Sequence, residues 1–74
     1  MNYMIEIFIP VPSGTKSLKK IERRVSIHCG KITYREKDLQ KVTLTFEFEK
    51  REAAKAAMED ISKDGIHVEG PCKY

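Results

Sequence analysis

The chain has 74 residues, of which 41% are hydrophobic and 34% charged, and its formal net charge is +3. This length suits one marginal domain that buries roughly 60% of its unfolded surface, and the composition excludes a disordered tail. We therefore expect a single domain over residues 1–74. The mild positive charge permits an acidic partner but does not require one.

The N-terminal segment has neither the charged start nor the long apolar stretch of a secretion signal. Its longest apolar run ends at Pro10 and is too short to cross a bilayer. Two cysteines do not make a disulfide framework. We expect a cytoplasmic protein with no membrane contact.

The first half of the chain predicts a strand and then a helix. Residues 3–9 alternate, with isoleucine at every second position, which is typical of a strand. Leu18, Ile21 and Val25 lie three or four residues apart and predict one face of a helix. Gly30 is placed to end that helix in the left-handed conformation.

The second half predicts two strands, a helix and a last strand. Residues 31–35 and 42–48 alternate on either side of a short polar turn, which favours an antiparallel hairpin. Residues 50–63 carry an alanine-rich apolar stripe with helical spacing. Residues 66–69 read as a short strand that stops before Gly70 and the proline after it.

This order of elements predicts a ferredoxin-like α+β sandwich, because two β-α-β halves are joined by a hairpin. Right-handed crossovers place the first and third strands in the centre of a four-stranded antiparallel sheet. The expected strand order is 4-1-3-2, with both helices on one face.

The opposite, open face of the sheet carries two apolar residues where polar ones are expected. Met4 and Phe8 lie there, either as a contact to a partner protein, a second copy or a ligand, or as ordinary scattered surface residues. On the next strand, simple alternation places Tyr34 on the helix side and Arg35 on the open face.

Two short segments resemble NIL domains. Residues 27–32, Ile-His-Cys-Gly-Lys-Ile, resemble the family's helix-to-strand junction, Asn-Ile-Leu-x-Gly-x-Ile, and residues 65–69 resemble its closing Gly-Val-x-Val-Glu. Ser26 stands where the family has Asn, and the glycine that opens the family's third strand is absent. NIL domains are ferredoxin-like modules that bind an amino acid on methionine-importer ATPases. The resemblance implies a small-ligand regulatory dimer.

ACT domains share this architecture and have a strand-to-helix loop with proline and glycine. Residues 12–14, Pro-Ser-Gly, resemble that loop without its Asp and its adjacent Pro-Gly. Glycine permits close backbone approach, and hydroxyls with helix-start N–H groups suit an acidic or amino-acid ligand. The alternative is a plain turn with a helix cap. The candidate ligand residues are Pro12, Ser13, Gly14, Thr15, Ser26, His28, Gly30 and Lys31.

A second functional class is a nucleic-acid or acidic-protein binder. The outer face of the first helix is basic and is suited either to phosphate contacts or simply to solvent. Base stacking on the sheet is not favoured, since Phe46 and Phe48 must face the core and only Phe8 remains. The candidate residues for phosphate contact are Lys16, Lys19, Lys20, Arg23 and Arg24.

Catalytic and metal chemistry find little support. His28, Cys29, His67 and Cys72 do not have zinc-finger spacing. The two cysteines belong to opposite sheet edges, about three spacings of ~4.8 Å apart, which is too far for a disulfide. Cys29 is expected to be a buried small residue. We expect no enzyme activity, no cofactor and no metal.

Overall fold

The computed structural model describes residues 2–10 and 18–73. Its elements follow the predicted order of strand, helix, strand, strand, helix and strand. They are β1 (Tyr3–Pro10), α1 (Leu18–Ile27), β2 (Lys31–Lys37), β3 (Lys41–Phe48), α2 (Arg51–Ser62) and β4 (His67–Lys73).

The four strands form one antiparallel sheet in the order β2-β3-β1-β4. Counted from the other edge, this is the predicted order 4-1-3-2, so the fold prediction is confirmed. The central pair, β1 and β3, is in continuous register from Tyr3 opposite Phe48 to Pro10 opposite Lys41. The core therefore rests on two fully paired strands.

The core lies between this sheet and the two helices. Alternate residues of β1 and β3 are 0–4% exposed, as predicted from their period of two. Ala54 and Ala57 are fully buried, and their small side chains let α2 approach the sheet closely. The buried apolar residues are Ile5, Ile7, Ile9, Ile21, Val25, Val42, Leu44, Phe46, Phe48, Ala54, Ala57 and Ile61.

Strand β2 departs from simple alternation at Thr33. Its pairing with β3 shifts by one residue there, so Tyr34 lies opposite Thr45 on the open face. Arg35 turns to the helix side, where its Nε donates to Glu22 Oε1 of α1 at 2.9 Å. The predicted faces of Tyr34 and Arg35 were wrong, because a bulge moves every later side chain to the other face.

Helix α1 ends one residue earlier than expected. Cys29, with φ of 68°, is the left-handed residue, and it is exposed rather than buried. The N–H of Gly30 donates to the carbonyl of Val25 at 3.1 Å and that of Cys29 to Ser26 at 2.9 Å, which is a Schellman motif. Gly30 is needed for space, since a Cβ there would lie 2.5 Å from Val25 Cγ1.

Strand β4 runs past the predicted stop and continues to Lys73. A register shift between Met4 and Glu6 of β1 accommodates the Gly70–Pro71 step. Proline is tolerated here because β4 is an edge strand. Cys72 pairs with Met4 on the open face, and both cysteines of the chain are free and exposed.

Candidate functional site

The strand-to-helix loop of the predicted ligand region is not among the described residues. Residues 11–17 include the predicted ligand residues Pro12, Ser13, Gly14 and Thr15, and also the predicted phosphate contact Lys16. Their roles stay predictions. Pro10 and Leu18 flank this segment.

The other part of the predicted ligand region lies at the far end of α1. Ser26 to Lys31 run from the last turn of the helix to the first residue of β2, and the ten residues of α1 span about 15 Å. Within one chain, the structure therefore separates this junction from the start of α1. Local sequence patterns located both segments but not the distance between them.

A cleft of about 630 Å³ opens at the junction, beside the start of α2. We call it the α2-start cleft. The starts of β1, β2 and α2 and the end of β3 lie close together at this end of the sheet. The cleft is lined by Asn2, Cys29, Lys31, Glu47, Phe48, Glu49, Lys50 and Ala53.

Of the predicted ligand residues, Lys31 lines this cleft. Ser26 instead donates its hydroxyl to the carbonyl of Glu22 at 2.9 Å. His28 lies 3.2 Å from an Asp60 carboxylate oxygen, and Gly30 packs against the core. These three have structural contacts of their own, so the predicted cluster contributes mainly one cation.

The cleft combines both signs of charge with an open helix start. Lys31 and Lys50 are cations on its wall, and Glu47 and Glu49 are carboxylates. Lys50 is the N-cap of α2 and makes no side-chain capping hydrogen bond. The first-turn N–H groups of α2, together with the positive end of the helix dipole, are therefore available to an acceptor.

A cluster of charged side chains joins α1 to α2. Arg24 of α1 donates to Asp60 Oδ1 at 2.7 Å and to the Asp60 carbonyl at 2.6 Å, and it also pairs with Asp64. The hydrogen bond from Arg24, and then that from His28, holds the pKa of Asp60 below its ordinary value. The same pairing raises the pKa of Arg24.

This cluster corrects the predicted basic face of α1. Arg24 is bound to two carboxylates and is turned toward α2, so it does not belong to the free basic surface. Lys19, Lys20 and Arg23 are exposed as expected. Three described cations of α1 are thus placed to meet phosphates.

On the open sheet face, Met4 and Phe8 are half-buried. The Phe8 ring lies 5.4 Å from that of His67, and Lys41 Nζ lies 5.0 Å from its centroid. Tyr34 adds a third ring on this face. The expectation that only Phe8 remains for stacking was therefore wrong, because the β2 bulge that turns Tyr34 to this face is not visible in local sequence.

A second cleft, of about 580 Å³, lies at the opposite end of the sheet. It includes Pro10, Lys20 and Gly65, so it adjoins the residues that flank the 11–17 segment. Among the described side chains, no group of three or more His, Cys, Asp or Glu is arranged for a metal ion. None of the described helices is long and apolar enough to span a membrane.

The element order, the antiparallel sheet and the paired helices define a ferredoxin-like α+β domain. The X-ray structure of prephenate dehydratase from Streptococcus mutans matches it with a TM-score of 0.71 and 18% identity over 93% of this chain. At this identity the likeness shows the fold. The chain spans 40% of the length of that dehydratase. No family model and no curated protein matches the chain.

Proposed function

We propose that residues 1–74 form one non-enzymatic regulatory or sensor domain that binds an amino-acid-like small molecule in the α2-start cleft. It acts as a homodimer or with a partner protein, with Met4 and Phe8 as the contact. One observation carries the proposal: the cleft of about 630 Å³ holds cations, carboxylates and an uncapped helix start together. Its size falls in the range of small-molecule sites.

The carboxylate of an amino acid has clear partners among the residues that line the cleft. Lys31 and Lys50 offer ammonium groups, and the first turn of α2 offers N–H groups that its N-cap side chain leaves open. Helix starts attract anions through these N–H groups and the helix dipole. Charge-assisted hydrogen bonds of this kind are the stronger ones.

The ammonium group of the same ligand has partners in the same cleft. Glu47 and Glu49 supply carboxylates, and Asn2 donates to Glu47, which fixes that side chain. Phe48 and Ala53 provide an apolar wall for a side chain. A zwitterion therefore finds a partner of opposite sign for each of its charged groups, whereas a purely anionic ligand leaves the two carboxylates unmatched.

The fold supports a regulatory role. NIL and ACT domains share the ferredoxin-like architecture found here, and the NIL-like junction includes Lys31, which lines the cleft. The chain matches only 40% of the Streptococcus mutans dehydratase, so that enzyme's activity is not carried over to this chain.

Thermal unfolding with each of the common amino acids tests the proposal. At a hundred times its Kd, a ligand that binds only the folded chain adds about 2.7 kcal/mol and raises Tm by about 10 °C. Lys31→Gln or Lys50→Gln should weaken binding about tenfold, since each removes a charge-assisted hydrogen bond. Lys55→Gln is the matched control, because Lys55 is exposed on α2 and does not line the cleft.

Two results would count against ligand sensing. One is a Tm that no amino acid changes, and the other is equal binding by the Lys31 and Lys50 variants and the control.

The alternative function is a nucleic-acid or acidic-protein binder through α1. One contact favours it. Glu22 of α1 is paired with Arg35, so its carboxylate is not available to neutralise the exposed Lys19 and Arg23. Steeply salt-dependent oligonucleotide binding would select it.

A further inference from the structure

The open sheet face is acidic, although the chain is basic. Each strand places one glutamate there: Glu6, Glu36, Glu47 and Glu69. Lys31 and Lys41 are the lysines on this side. The strands thus give this face a formal charge of −2, from four glutamates and two lysines, whereas the whole chain carries +3.

Glu6, at the centre of this face, lacks a positive partner. It is half-buried on central strand β1, and its cross-strand neighbours are Thr45 and Glu69. Like charges directly opposite one another on adjacent strands are unfavourable. Within the described part of the chain Glu6 makes no hydrogen bond or ion pair, while Glu69 has His67 at 2.9 Å. The face therefore lacks a cation at its centre.

Apolar surface flanks this carboxylate on both sides. Met4 and Phe8 lie two residues before and after Glu6 on the same face of β1. Thr43 and Thr45 beside them are only 8% and 7% exposed, so this part of the face is closely packed. Lys41 already places its ammonium over the Phe8 ring, which shows that the ring accepts a cation.

We propose that the open sheet face docks a basic segment of a partner protein that also carries apolar side chains. Its Arg or Lys would pair with Glu6 and Glu69, and its apolar groups would cover Met4 and Phe8. A symmetric contact between two copies is disfavoured, because it would set one face of −2 against another. Of the two occupants that the proposed function allows, charge complementarity selects the partner protein.

Binding of synthetic peptides to the full chain tests this docking surface. The probe is an amphipathic peptide of arginine and leucine, with an arginine–serine and a glutamate–leucine peptide as its controls. Calorimetry should show the arginine–leucine peptide binding at least tenfold more tightly than either control. Amide shifts in an NMR titration should be confined to open-face positions of β1, β3 and β4.

Variants of the two central glutamates sharpen the test. Glu6→Gln and Glu69→Gln together should weaken the arginine–leucine peptide tenfold or more, and Glu6→Gln alone should raise Tm because it removes the like-charge pair. A variant that merely damaged the fold would lower both the affinity for the peptide and Tm. Glu59→Gln is the matched control, since Glu59 is exposed on α2, away from the sheet.

Several outcomes would overturn the proposal. Equal binding of the arginine–serine peptide would show charge attraction alone, and shifts confined to the helices would place binding elsewhere. Unchanged affinity in the double variant would remove Glu6 and Glu69 from the contact. Sedimentation that reveals a dimer which Met4→Lys dissociates would assign the face to a second copy. The variants in this test leave Lys31 and Lys50 of the α2-start cleft unchanged. The two proposals can therefore fail independently of each other.

Discussion

Gly30 and Gly65 meet different constraints, and the difference is measurable. A Cβ at Gly30 would lie 2.5 Å from Val25 and 2.6 Å from Phe48, both in the core, whereas Gly65 has open space but a φ of 79°. We expect Gly30→Ala to lower the free energy of unfolding by about 1–3 kcal/mol through overpacking. Gly65→Ala should cost about 1–2 kcal/mol from backbone conformation alone.

Asparagine at each position separates the two causes, because it tolerates the left-handed region but is larger than alanine. Urea unfolding should show Gly65→Asn closer to the wild type than Gly65→Ala. Gly30→Asn should be less stable than Gly30→Ala. An unchanged stability in Gly30→Ala would contradict the crowding at the end of α1.

At Cys29 we expect a substitution to stabilise the fold, whereas the substitutions at Gly30 and Gly65 destabilise it. Cys29 is exposed and left-handed, so its side chain contributes no burial while its backbone is strained. Cys29→Gly should therefore raise the free energy of unfolding by about 1 kcal/mol. Cys72→Gly, the same substitution within β4, should lower it, because glycine weakens a strand. Chemical denaturation of both variants checks the sign.

At the level of elements, the contact between α1 and α2 depends on pH through Asp60. Its pKa is lowered by Arg24 and then by His28, so it favours folding while it is ionised. This contribution is present above the ordinary pKa of about 3.9 and is lost as pH falls through the lower folded value. The Tm difference between the wild type and Asp60→Asn should therefore be largest above about pH 4 and shrink in more acidic buffer.

The control for this pH series is Glu59→Gln, which removes an exposed carboxylate from the same helix. Its Tm should stay close to that of the wild type across the series. A difference between the wild type and Asp60→Asn that stayed constant from neutral pH to pH 2 would show that ionisation of Asp60 is not what joins the helices.

The elements themselves could be predicted because their periodicity is local. The alternation of β3 and the alanine stripe of α2 predicted the buried faces that the structure has. The bulge at Thr33 could not be predicted, since either face suits Tyr34 and Arg35 by composition. In the structure Arg35 pairs with Glu22 thirteen positions earlier, a tertiary contact that local sequence does not reveal.

On the scale of the whole molecule, the α2-start cleft could be predicted only in part. Lys31 was found because it belongs to the NIL-like junction. Lys50 and Glu49 were missed, although the predicted hairpin already places the end of β3 beside the start of β2. One local signal was available: α2 begins after a lysine, where Ser, Thr, Asp or Asn would ordinarily cap it.

Charge is also distributed unevenly over the whole molecule. Exposed cations gather on α1, while glutamates gather on the open sheet face. The net charge of +3 conceals this division, which is why composition pointed to acidic partners in general. The fold assigns the two signs to opposite sides of the sheet.

An NMR titration of the labelled chain with amino acids tests the central claim most directly, because it reports where a ligand binds as well as whether it does. We predict saturable amide shifts at Lys31, at Lys50 and in the first turn of α2 through Ala53, and none at Lys19 or Arg23. Shifts confined to α1, or no saturable shift with any amino acid, would contradict a sensor site in the α2-start cleft.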